Sequence, residues 1–176
     1  MINQIYEALQ NASREELIDI IEERLYLDPV FRKTVEHRLL SKNKSVAGQI
    51  SAFKDQVAEE MSLRHPDTSV LISACFNLKR AMGSWSVYDS LLADIAIIRT
   101  FDDALCNGAG MEDDTDFEIS MEVEEARDNA IKQLKEKQPV GKEKAKITEL
   151  LEKELALPLG VFGKDIFSAI IDVLEA

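Results

Sequence analysis

Residues 87–101 read VYDSLLADIAIIRTF, the most apolar stretch of the chain. Val87, Leu91, Leu92, Ile95, Ala96, Ile98 and Phe101 recur at intervals of three and four, the period of an α-helix. So wide a stripe predicts a central helix touched on more than one side. Gly83-Ser84 stand before it and Asn107-Gly108-Ala109-Gly110 after it, residues that tolerate the left-handed backbone at a helix end.

Working back towards the N-terminus, the same grammar repeats. Asp67-Thr68-Ser69 offers caps to a helix carrying Leu71, Ala74, Cys75, Leu78 and Met82. Pro66 stops an earlier helix, Ser45 to about Leu63, with Ile50, Phe53, Val57 and Met61 on one face. Ser13-Arg14-Glu15-Glu16 has the form of a capping box ahead of Leu17, Ile20, Ile21 and Leu25. Asp28-Pro29 starts a further stripe of Phe31, Val35 and Leu39, so residues 13–41 are expected to form a helical hairpin.

Forward of the central helix the pattern is less decisive. Phe117, Ile119, Met121 and Val123 alternate with polar residues as in a strand, yet Ile119, Val123, Ala126 and Ala130 share a helical face. Glutamate-rich composition and lysines at the far end (Lys132, Lys135, Lys137) favour helix. Gln138-Pro139-Val140-Gly141 is the best linker candidate. Beyond it lie Ile147, Leu150, Leu151 and Leu155, then a break at Pro158 to Gly163, then Ile166, Phe167, Ile170, Ile171 and Leu174. The fold class is therefore all-α, with roughly nine amphipathic helices in a bundle or a short stack of helical hairpins. A helical domain over 1–138 and a C-terminal hairpin over 139–176, packed on the same core, are expected.

The 176 residues are 45% apolar and 31% charged, with seven glycines and four prolines, a composition suited to long helices around a real core. A net charge of −12 argues against nucleic acid or an anionic membrane as the main partner. Cys75 and Cys106 stand far apart without a CxxC pattern, which fits a reducing compartment. With no signal-peptide pattern and no apolar run long enough for a membrane span, a cytoplasmic location is expected.

Chemistry-bearing patterns are sparse. Only two histidines occur, neither near a nucleophile motif, so no catalytic residue is assigned. Asp114, Asp116, Glu118, Glu122 and Glu125 have the spacing of an EF-hand loop, but Ile119 stands where the turn needs glycine. The pairs Glu16/Asp19 and Glu125/Asp128 resemble helical Mg²⁺ ligands, yet a helical wheel points them to water. No metal ligand and no cofactor is assigned. His65-Pro66-Asp67 resembles the central tripeptide of J-domain co-chaperones, which would imply stimulation of a chaperone ATPase. The helix before it carries Asp55, Glu59 and Glu60 where that family is basic, and the triplet also reads as a helix stop followed by a cap.

What remains is surface. Lys132, Lys135 and Lys142 belong to a lysine island in an acidic chain, and Leu159, Val161 and Phe162 place apolar side chains in a loop. These six residues are the candidate partner-docking positions. The leading functional expectation is a non-catalytic protein–protein interaction or scaffold module, binding a protein partner or itself. A small Mg²⁺- or Ca²⁺-dependent enzyme or cation-binding protein is the alternative, and a J-domain-like co-chaperone the third.

Overall fold

The computed structural model describes residues 8–32, 35, 45–107, 113–158 and 160–175. The chain divides into two units, 1–43 and 44–176. In the first, Arg14–Leu27 is helix α1. The Ser13 hydroxyl accepts the Glu16 N–H at 3.2 Å, and the Glu16 carboxylate accepts the Ser13 N–H at 2.7 Å, closing the expected capping box. Asp28 ends α1: its N–H reaches the Arg24 carbonyl at 2.9 Å and its carboxylate pairs with Arg24 at 2.6 Å. The same carboxylate accepts the Phe31 N–H, opening a helical turn at 29–32, and that bond holds its pKa below the usual range. Most of the hairpin's second arm lies outside the described residues.

In the second unit the helices are α2 (Val46–Met61), α3 (Thr68–Met82), α4 (Val87–Asn107), α5 (Asp113–Lys137), α6 (Gly141–Ala156) and α7 (Asp165–Glu175). Polar caps start three of them. Ser45 accepts from Gly48, Asp67 from Ser69 and Ser86 from Asp89. His65-Pro66-Asp67 thus lies between α2 and α3, with Asp67 as the α3 cap and His65 exposed. α5 resolves the ambiguous stretch by burial. A strand would turn Phe117, Ile119, Met121 and Val123 to one face. Here Ile119 and Val123 are fully buried with Ala126 and Ala130, while Phe117 and Met121 are 66% and 56% exposed. That is helical periodicity.

α4 is the axis of this unit. Residues 93–98 are buried without interruption, and α2, α3, α5 and α6 all pack on α4. Phe101 of α4 meets Phe53 of α2 edge to face, with ring centroids 5.7 Å apart. α7 packs on α5 and α6, so Ile147, Leu151, Phe167 and Ile170 join the same core as Phe53, Leu71 and Ile97. Helices α6 and α7 thus share a core with the rest of the unit 44–176. The expected linker is a tight elbow: Gln138 and Gly141 have φ of 45° and 57°, and Pro139 between them is buried. Among the described residues there is no strand, and no helix is long and apolar enough to cross a membrane.

Phe101 is fully buried at the crossing of α2 and α4. Phe101→Ala is expected to lower stability by about 3–5 kcal/mol, read as a fall in urea midpoint with unchanged m-value.

Candidate functional site

Three charged residues of α4 sit where an all-round buried helix would be expected to carry apolar ones. Arg99 reaches the far end of α6. Its Nε donates to the Glu154 carboxylate and its Nη1 to the Pro158 carbonyl, each at 2.7 Å, while Nη2 donates to the Glu154 carbonyl. The Glu154 carbonyl, in the last turn of α6, also accepts the Leu157 N–H at 3.2 Å, so Arg99 adds a second donor to that helix end. The guanidinium also lies over the Phe167 ring, 5.0 Å from its centroid, and so ties α7 to the same point.

One turn on, Asp102 is 3% exposed and gathers three backbone donors. Gly160 and Val161 each donate to it at 2.8 Å and Phe162 at 3.3 Å. The Cys106 sulfur occupies the space where a side chain on Gly160 would begin, 1.8 Å from an ideal Cβ. The loop containing the candidate residues is therefore fastened to the body by its main chain. Phe162 is half-buried against the core, Val161 is 57% exposed, and Leu159 lies outside the described residues.

The third charged residue, Asp94, is wholly buried and accepts from the Asn129 amide at 2.9 and 3.1 Å. Burial raises its pKa to about 8, against the opposing pull of the Asn129 bond and of Lys79, with Glu125 adding to the rise. Beside it, Lys79 of α3 pairs with Glu122 at 2.6 Å and Glu125 at 2.9 Å, and the Cys75 thiol donates to Glu122. Burial pulls the Lys79 ammonium down, but the carboxylates of Glu122 and Glu125 outweigh it and hold Lys79 above its ordinary value. Burial first, then Glu122 and Glu125, push the Cys75 thiol far up, so it stays protonated and unreactive.

The lysine island is not gathered at one place. Lys132 borders a cleft of about 360 Å³ with Lys79, Trp85, Ser90 and Asn129. Lys142 borders one of about 400 Å³ with Tyr88, Asp89 and Lys146. Lys135 borders one of about 600 Å³ at the elbow between α5 and α6. Val140 precedes α6 and offers its free N–H groups no side-chain cap. Lys142, Lys144 and Lys146 then put positive charge on the positive end of that helix, an arrangement the macrodipole disfavours.

The carboxylate patterns find no common centre. Residues 114–125 are helical rather than looped, Asp128 pairs with Arg127, and Glu125 is engaged by Lys79. Among the described residues no three His, Cys, Asp or Glu side chains converge as a metal site. No family model, curated protein or solved structure matches this chain.

The buried aspartates are what the sequence reading missed. Asp94 and Asp102 lie three residues after Leu91 and four after Ile98, inside the apolar stripe, and that placement was the available signal.

Asp102→Ala is expected to cost on the order of 2–4 kcal/mol, because three N–H groups lose a charged acceptor. Proteolysis should then cut first within 157–163, and an unchanged cleavage pattern would contradict the role. Asp94 has a different signature. Below pH 4 it is protonated in both states; from about pH 4 to about 8 only the folded chain keeps the proton. Stability should therefore fall as pH rises through that window, by up to roughly tenfold in the folding constant per unit. Asp94→Asn should flatten the profile in urea titrations between pH 5 and about 8.

Proposed function

We propose that this protein is a non-catalytic interaction module that associates with a second copy of itself through α1. The observation that carries the reading is that none of the residues of α1 is buried, although Ile20, Ile21 and Leu27, which share one side of the helix, are 54%, 42% and 65% exposed. An isolated helix of 14 residues is marginal in water, and its stability comes from covering an apolar face. Association supplies that cover.

Charge placement supports a second copy as the partner. Glu15 and Glu16 lie in the first turn of α1 and Arg24 in the last. Two such helices paired antiparallel bring the basic end of each, where Arg24 pairs with Asp28, alongside the acidic first turn of the other across a two-fold axis. A contact of this kind repeats itself on both sides and closes, giving a dimer rather than a fibre. The catalytic alternative has no comparable support, since the acidic side chains are distributed or already paired.

Light scattering coupled to gel filtration tests the reading. The full chain should run as a dimer at micromolar concentration, and Ile20→Glu with Ile21→Glu should run as a monomer with the second unit still cooperatively folded. A parent chain that is monomeric throughout the concentration range sinks it.

A further inference from the structure

The elbow between α5 and α6 forms a cleft of about 600 Å³ lined by apolar side chains and by one lysine from each of the two helices. Leu134 and Leu174 form the floor at 3% and 5% exposure, and Val140 stands 78% exposed at the rim. Lys135 projects from α5 and Lys144 from α6, and among the described residues neither makes an ion pair. The cleft thus carries two cations in a protein with 33 acidic residues against 21 basic ones. The one acid on the cleft, Asp172, belongs to the third wall, on α7.

We infer that this cleft is a docking site for an acidic peptide segment of a partner protein, one that carries an apolar anchor residue flanked by carboxylates. The anchor fills the floor against Leu134 and Leu174, beside Val173, while the flanking carboxylates lie towards Lys135 and Lys144. Asp172 sets the orientation, because an acidic group on the α7 side would meet a like charge. A space of about 600 Å³ takes one large side chain with its neighbouring backbone. No aromatic residue lines the cleft, so it lacks the stacking surface of a single-strand nucleic-acid groove. The inference deepens the reading of the chain as an interaction module but does not require α1 to self-associate.

The test uses the full chain and a fluorescein-labelled peptide with a central leucine flanked by glutamates, followed by anisotropy. Saturable binding that weakens as salt rises is expected, with loss of binding when the glutamates are changed to lysine or the leucine to serine. Lys135→Glu with Lys144→Glu should weaken binding at least about tenfold while leaving the circular dichroism and the oligomeric state unchanged. Val140→Asp should weaken it independently of those two. Ile20→Glu with Ile21→Glu should bind the peptide as the parent does, which separates this site from α1. Absence of saturable binding overturns the proposal, as does equal affinity for the lysine-substituted peptide. Loss of dimer formation in the double-lysine variant would assign the cleft to a second copy instead, and selective binding of a fatty-acid probe there would assign it to a small amphiphile; either result overturns the partner named here.

Discussion

Where a helix is enclosed by its neighbours it cannot leave a charge to water, so Asp94, Arg99 and Asp102 of α4 have to be answered by the elements around it. That constraint organises the second unit. Asp94 is answered by Asn129 of α5, Arg99 by the end of α6 and the ring of Phe167, and Asp102 by the main chain of 160–162. Apolar contacts hold these helices against α4, but such contacts are non-directional and tolerate sliding. The three polar answers fix which turn of α4 each neighbour meets. They also explain why the connection after α6 has an irregular course yet a defined one. Its donors converge on a carboxylate instead of on one another.

Much of this arrangement was legible in the residues. The capping box at Ser13, the stop at Pro66 and the wide stripe of 87–101 each state a local rule that the backbone obeys. Residues 113–137 show where local rules compete. The strand-like alternation and the helical face both contain Ile119 and Val123, and only the outward placement of Phe117 and Met121 separates them. The elbow at 138–141 looked like a linker because Pro and Gly mark chain reversals generally. The burial of Pro139 is a tertiary fact that composition does not carry.

The functional surfaces were less legible, for a physical reason. Lys132, Lys135 and Lys142 are neighbours in sequence, but each lines a different cleft, and the elbow lies between the first two and the third. The loop residues Val161 and Phe162 looked like one apolar exposure, but Phe162 packs against the core and Val161 does not. α1 reverses the relation: its apolar stripe reads as ordinary core from sequence, yet Ile20 and Ile21 of that stripe are exposed while Leu17 and Leu25 are half-buried.

Asp102 grips amide groups and takes no part in choosing the side chains attached to them. A main-chain clamp of this kind separates the path of a loop from its spelling. At position 160 the nearby Cys106 sulfur leaves little room for a side chain, and at position 162 the core asks for an apolar one, but Val161 is held only through its backbone. New residues can therefore be tried there without redrawing the chain's course. The loop is a ready place for grafted recognition sequence, and a place where natural variation can accumulate at little cost to the fold.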